Sequence, residues 1–320
     1  MSRLNTVLAP SGLTAPAPRD PVAPMGNRRD LDVSGVAALM TITLILSFNQ
    51  VVIKVTNEGI QPAFQAGLRS LFGLLCLFVW VTLSARKITI RRGDLLSGLL
   101  LGVFFAVEFL LLFLALDITS VARSAILFYS MPVWLSIVAH FVLPGERLTP
   151  SRLAGLVLAM AGVIWALADR DLAQGDLRGD LMALGGAFAW GGIALTVRLS
   201  PLARANAETQ LFWQLAVSAP LLIGASVFFG PLIRDLAPLH LAGLAYQAVL
   251  VAFAGFLAWF YLMQRYKAST VASFGFLSPV LAVLFGAVLL DEKTSPAIWA
   301  ALALIVAGLW LINKRPKVAG

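Results

Sequence analysis

EFLLLFLALDITSVARSAILFYSMPVWLSIVAHFVL (108–143) and GFLAWFYLMQRYKASTVASFGFLSPVLAVLFGAVLL (255–290) align without a gap at a constant offset of 147, which sets Phe109 against Phe256, Phe113 against Phe260 and Pro132 against Pro279. One residue is then lost, and PGERLTP (144–150) returns as LDEKTSP (290–296) at offset 146, with Glu146 against Glu292 and Gly162 against Gly308. Toward the N-terminus the repeat is fainter; Gln65 against Gln210 at offset 145 places Arg69 opposite Gln214. Each copy holds five apolar segments, close in length to the ~20 residues that cross ~30 Å of hydrocarbon. Because five is odd, the chain leaves the first copy on the far side of the membrane and the second copy enters upside down. An inverted repeat of this kind is the construction of secondary transporters.

Composition points the same way. Hydrophobic residues make up 59% of the chain and charged residues 12%, with a mean hydropathy of +0.88, where a soluble domain carries about 25% charged residues. The predicted spans are 34–53, 62–83, 95–115, 120–143, 151–168, 180–199, 207–229, 238–263, 268–290 and 296–313. The expected fold is an all-α integral membrane protein of ten transmembrane helices in two inverted five-helix repeats, 34–168 and 180–314. Residues 1–33, rich in Pro and Ala and lacking the apolar core and cleavage site of a signal peptide, read as a disordered cytoplasmic tail. Residues 169–179 read as a periplasmic linker within the acidic run DRDLAQGDLRGD (169–180), taken as solvated, and 315–320 as a cytoplasmic C-terminal tail.

Orientation follows from Lys and Arg, which concentrate on cytoplasmic loops. With both termini inside, only Lys54, Arg123, Arg170, Arg178, Arg234 and Lys293 fall outside, and Arg69 lies within a span. The basic groups sit on short loops between spans, so the sequence pI of about 10.1 does not point to nucleic acid. The partners expected are a small-molecule solute and the lipid bilayer, with a homodimer left open.

The loops leave no room for a soluble catalytic domain, and the sequence carries no HExxH, GxSxG or GxxxxGK[ST] pattern. Cys76 is alone, and neither His140 nor His240 has a neighbouring ligand motif, so interfacial structural roles are expected for both. The chain therefore reads as no enzyme, with no cofactor and no metal. An intramembrane enzyme is the remote alternative, and an open channel differs from a carrier in lacking saturable flux.

SFNQVVIKVTNEGIQPAFQAGLRSLFGLL (47–75), PVW (132–134) with PGERLTP (144–150), AFAWGG (187–192) and SPVLAVLFGAVLLDEKTSP (278–296) resemble the EamA family of the drug/metabolite transporter (DMT) superfamily, over about residues 34–314. The resemblance implies ten helices around a central cavity, cytoplasmic termini, and export or exchange of small metabolites across a bacterial inner membrane. Amino acids or related compounds are the first expectation for the solute, and drugs or toxic metabolites the alternative.

Within the spans, Arg69 and Glu108 need a reason to be there, since a charge at the bilayer centre costs about 3 kcal/mol on insertion scales. Both lie roughly 5 Å outward of the midpoints of their spans at 1.5 Å per residue. An ion pair between them is expected near Asn49 and Gln50, serving as a helix lock, as an outer gate, or as the contact for a zwitterionic solute. A role of Glu108 as proton carrier is a further alternative. Pro132 and Pro279 predict kinks that either shape the cavity or act as hinges. Trp190 and Trp213 are expected to line the cavity, with Asn49, Gln214 and Gln247 orienting the solute. Glu146 and Glu292 read as parts of short turns that cap the helix following each.

Overall fold

The computed structural model describes residues 32–142, 149–168, 176–266, 271 and 274–313. Its helices are α1 (Val33–Gly59), α2 (Pro62–Leu83), α3 (Leu95–Ile118), α4 (Val121–Phe128), α5 (Met131–Val142), α6 (Pro150–Ala168), α7 (Leu177–Leu199), α8 (Ala207–Ala225), α9 (Pro238–Ala245), α10 (Phe256–Arg265), α11 (Leu277–Leu289) and α12 (Pro296–Asn313). The chain between α9 and α10, Tyr246–Gly255, continues as a π-helix. Taking α4 with α5 as one rod and α9 through α10 as another, eight rods are long and apolar enough to cross a membrane; α11 and α12 are shorter apolar helices. Among the described residues the extended pairing is a single isolated bridge, Ile60 with Ile233.

Local chemistry sets most helix starts. Pro62, Pro150, Pro238 and Pro296 open their helices, where a missing N–H is no loss and a fixed φ is an advantage. Asp32, Ser120, Asp176 and Asn206 cap theirs by accepting a backbone N–H. The rods then pack in pairs: α2 on α8, α3 on α7, α6 on α12, α1 on α11, and α4 and α5 on α7.

The α6–α12 contact is backbone on backbone. A Cβ added at Gly155 would stand 2.6 Å from the Gly308 carbonyl oxygen, and one at Gly308 would stand 2.6 Å from that of Gly155. Small residues are needed where no hydrophobic drive brings helices together and van der Waals contact must do so. Gly308→Leu is therefore expected to destabilise by about 1–3 kcal/mol, the usual cost of overpacking, read as a lowered Tm in detergent. A Tm equal to wild type would mean that α12 shifts away without loss.

Two corner residues tie the opposite ends of the bundle in the same way. Gln61 accepts the Phe64 N–H (2.7 Å) and donates its amide to the Ser226 carbonyl (2.7 Å). Asn206, 145 positions later, accepts the Thr209 N–H (3.0 Å) and donates to the Lys87 carbonyl (2.7 Å). At the Gln61 end the backbone adds two further bonds, Gln61 N–H to Leu232 O and Arg234 N–H to Gly59 O, each 3.0 Å. At the Asn206 end the Thr89 N–H reaches Thr209 Oγ1 at 2.9 Å.

Several sequence-based expectations are corrected by tertiary contacts. α1 runs on to Gly59, so Lys54 is not in a loop; its Nζ donates to the Leu116 (3.3 Å) and Thr119 (2.6 Å) carbonyls. Those carbonyls belong to the C-terminal end of α3, which favours a cation. Arg123, expected among exposed loop charges, is buried in α4, and Asp180, expected in a solvated linker, is fully buried in the first turn of α7. The two meet: Arg123 Nε lies 3.1 and 3.0 Å from the Asp180 carboxylate oxygens, Nη2 also donates to it, and Thr119 Oγ1 donates at 2.8 Å. Residues 169–175 of the linker lie outside the described residues.

Glu292, expected in a turn capping α12, instead caps α4. Its carboxylate accepts the Val121 and Ala122 N–H groups at 2.8 and 3.2 Å, orphan donors at a helix N-terminus where negative charge is favoured. α12 is served by Ser295, whose hydroxyl accepts the Ala297 N–H at 3.1 Å. Glu146 lies outside the described residues, as do 268–270, 272 and 273 of the predicted ninth span; α11 begins at Leu277.

Candidate functional site

Three phenylalanines at a spacing of four, Phe105, Phe109 and Phe113, form one stripe along α3, because residues i and i+4 share a helix face. The Arg69 guanidinium from α2 lies against that stripe, 3.9 Å from the Phe109 ring centroid, 5.8 Å from Phe113 and 6.0 Å from Phe105. Phe256 of α10, the repeat partner of Phe109, closes the cage at 5.4 Å. Arg69 is fully buried, and its Nε, Nη1 and Nη2 have no hydrogen-bond partner. Ring faces carry negative potential and stabilise a desolvated cation by up to about 2 kcal/mol.

The expected ion pair with Glu108 is not formed. Glu108 is buried at 4% exposure, yet the salt bridges within 4.0 Å among the described residues do not include it. The reason is azimuth. Glu108 and Phe109 stand about 100° apart around a helix of 3.6 residues per turn, and it is the phenylalanine stripe that faces α2. Equal depth did not mean equal direction.

Next to this cage lies a second group of polar and aromatic side chains. Gln50 of α1 is 2% exposed, and neither its amide nitrogen nor its oxygen has a partner; the Asn49 Oδ1 is likewise unpartnered. Tyr129 lies near Gln50 and Ser278, and Glu108 is close enough to act on it electrostatically. Trp190 of α7, half-buried, stacks on Phe128 at 5.1 Å with an interplanar angle of 18° and meets Tyr129 edge-on at 6.0 Å. Gln50, Glu108, Trp190 and Ser278 thus converge from four helices, α1, α3, α7 and α11, onto the break between α4 and α5, where Tyr129 sits.

That break falls at Tyr129–Ser130, just before Pro132, and a matching turn at Phe276 precedes Pro279. Tyr129 and Phe276 are related by the same offset of 147. A proline ring clashes with the carbonyl four residues earlier and donates no N–H. Both interruptions therefore fall within the turn that each proline disturbs. The Ser130 hydroxyl donates to the Leu127 carbonyl and accepts the Trp134 indole N–H at 2.9 Å.

At the Gln61 end of the bundle a polar clasp ties several segments together. Arg234 grips Asp117 in a bidentate pair, Nη1 to Oδ1 at 2.7 Å and Nη2 to Oδ2 at 2.9 Å, and also donates to the Asn57 carbonyl at 2.9 Å. Asp117 holds the Arg234 guanidinium above its ordinary pKa, chiefly through that hydrogen bonding. With Asn57 Nδ2 donating to the Phe113 carbonyl at 2.9 Å, the clasp joins α1, α3 and the segment leading into α9. Arg234→Gln is expected to raise, several-fold, the rate at which a water-soluble maleimide labels Ile53→Cys, one turn below Asn57, in a Cys76→Ser background. An unchanged rate would show that the backbone bridge alone keeps this end shut.

The sequence signature of the EamA-like transporter family matches residues 33–168 and again residues 177–314. The chain belongs to this family. It is similar to the uncharacterized transporter YoaV of Bacillus subtilis (strain 168), 25% identical over 87% of this chain and 96% of that one. It is also similar to the probable amino-acid metabolite efflux pump of Escherichia coli (strain K12), 29% identical over 87% of this chain and 93% of that one. A solved crystal structure covering 87% of this chain and 97% of its own superposes with a TM-score of 0.63 at 24% identity, which shows a shared fold.

In this EamA-like transporter the remaining sequence candidates are placed elsewhere. Trp213 of α8 lies on Gly98 of α3, so close that a Cβ there would come within 2.3 Å of the ring, and its indole N–H has no partner. Gln247 is bound into a buried polar chain, accepting from Gln65 at 3.1 Å and donating to Thr56 at 3.3 Å. Gln214 is buried on α8 next to Trp213. Sequence reasoning missed the cage around Arg69, although three Phe at intervals of four were its visible signal. It also missed the Arg234 clasp, whose partners stand 117 and 177 positions away.

Proposed function

We propose that this transporter is an alternating-access carrier that exports amino acids or related small metabolites, with the solute held among Gln50, Arg69, Glu108, Tyr129 and Trp190. The observation that carries this reading is the pair of buried, unpartnered polar side chains at its centre, Gln50 and Arg69. A buried polar group without a partner costs about 1–3 kcal/mol, a cost that a bound ligand removes. A zwitterion suits the set: its carboxylate takes the Arg69 fork, its ammonium Glu108, and an apolar side chain the rings. Arg69 is sealed in its cage, so this contact forms when α3 and α10 part.

The two family matches, the corner bonds of Gln61 and Asn206 at opposite ends and the paired interruptions at Tyr129 and Phe276 support two inverted five-helix repeats, 34–168 and 180–314. Arg86, Lys87, Arg91, Arg92, Arg204 and Arg265 gather at the Asn206 end, which under the rule of cytoplasmic basic loops faces the cytoplasm of a bacterial inner membrane. The Gln61 end is then periplasmic. A transporter reading leaves no catalytic role for the site. The name of the Escherichia coli relative supports a solute of the amino-acid class.

Counterflow in proteoliposomes tests the proposal: unlabelled amino acids are loaded inside and entry of labelled ones is followed. Saturable counterflow for a subset of amino acids is expected. Its absence for every amino acid, with the protein folded, overturns the solute class and favours a drug or toxic-metabolite exporter, to which the aromatic lining is also suited.

A further inference from the structure

At the Asn206 end, between the last turns of α2 and α10, an open cavity of about 410 Å3 is lined by Trp80, Arg86, Tyr261, Gln264 and Arg265. None of these side chains belongs to the central site. Arg86 is 59% exposed along its side chain, and its guanidinium stands 5.7 Å from the Tyr261 ring centroid. Behind it Glu208, nearly fully buried, accepts the Tyr261 hydroxyl and lies 3.9 Å from Arg86 Nε. That carboxylate holds the inner edge of Arg86 and leaves the outer edge of the fork open. Asp32, the carboxylate that acts on Arg265, is already engaged by Ser34 (3.0 Å), the Gly35 N–H (2.7 Å) and the Tyr266 hydroxyl (2.7 Å). Two guanidinium groups therefore line one cavity, with Glu208 behind Arg86 and Asp32 acting on Arg265, and exposed Lys87, Arg91 and Arg92 add to the positive potential beside it.

Planar guanidinium forks match phosphate oxygens in pairs. The cavity also borders an exposed apolar face of α2. Just along α2 from it, Phe78, Val79 and Leu83 are 43%, 57% and 82% exposed, and Trp80, itself 38% exposed, joins that apolar face to the cavity wall. Trp and Tyr favour the headgroup level of a bilayer, and basic pockets between transmembrane helices bind phospholipid headgroups. We propose that this cavity binds the phosphate headgroup of an anionic phospholipid, with Arg86 and Arg265 on the phosphate, Trp80 and Tyr261 flanking it, and the acyl chains lying along the outer face of α2.

Native mass spectrometry of the full chain in detergent tests this without reference to transport or to the direction of insertion, so its outcome is separate from that of the carrier reading. Phosphatidylglycerol is expected to be retained at least about tenfold better than phosphatidylcholine, and Arg86→Gln/Arg265→Gln to lose that preference. Arg91→Gln/Arg92→Gln, which removes the same charge outside the cavity, is expected to keep it. Arg265→Gln alone, which strands no buried carboxylate, is expected to weaken retention several-fold and serves if the double variant fails to fold. Equal retention of the two lipids, or equal loss in the cavity and control variants, overturns the proposal. Displacement of the lipid by an equal concentration of glycerol 1-phosphate also overturns it, because the site would then be one for soluble organic phosphates.

Discussion

Asp180→Ala is expected to cost about 3–5 kcal/mol of stability, the penalty for stranding one partner of a buried ion pair, and to lower Tm in detergent sharply. Arg123 and Asp180 are both buried, so water does little to screen or replace either charge. The Asp180 carboxylate takes the Arg123 guanidinium and the Thr119 hydroxyl together, which brings the end of α3, the start of α4 and the start of α7 to one point. Arg123→Ala is expected to do comparable damage from the other side. The double variant Arg123→Met/Asp180→Leu separates charge from packing: apolar residues of similar volume often replace a buried pair at little cost, so most of the lost Tm returns. A single variant with wild-type Tm would show that water reaches the pair. A double variant as poor as either single one would show that the hydrogen bonds to Thr119 matter more than charge balance.

Arg69→Met is expected to leave the fold intact and to reduce solute counterflow at least tenfold, a loss of about 1.4 kcal/mol or more. Methionine fills a similar apolar stem volume and makes favourable contacts with ring edges, so the cage of Phe105, Phe109, Phe113 and Phe256 stays packed. Removing a desolvated cation without hydrogen bonds also relieves a burial cost, so Tm is expected to hold or rise. A structural lock and a solute contact thus predict opposite patterns. If Arg69 only ties α2 to α3, Tm falls and counterflow survives in the folded fraction; if it meets the solute, Tm holds and counterflow goes. Arg69→Lys sharpens the result, since a point charge lacks the bidentate fork for a carboxylate. Full counterflow in Arg69→Met would remove Arg69 from the proposed site.

Features that depend on a few consecutive residues were legible in the chain. The length of apolar segments set eight membrane-length helices, with shorter apolar helices in the last two predicted spans, and Pro62, Pro238 and Pro296 placed helix starts to the residue, because proline acts through its own φ and its own missing N–H. Arg69 and Glu108 were recognisable as buried charges from their distance to the span ends, since depth is a matter of counting 1.5 Å per residue. The family too was legible, in motifs that the two matches over 33–168 and 177–314 confirm.

Tertiary structure alone decided direction and partnership. Whether Glu108 or Phe109 faces Arg69 is a rotation of about 100° around α3, and only the packing of α3 against α2, α7 and α8 sets it. Arg123 and Asp180 read as exposed loop charges until a contact across 57 positions buried them together, and Glu292 left its own turn to cap α4 from 171 positions away. A charge near the end of a helix is stable in water or against a buried partner of opposite sign, and the two outcomes have the same local sequence. Apolar length and proline chemistry determined where the helices run; which side chains meet at the centre was decided by how the helices rotate and pack, because each long-range polar bond is available only once both of its helices are in place.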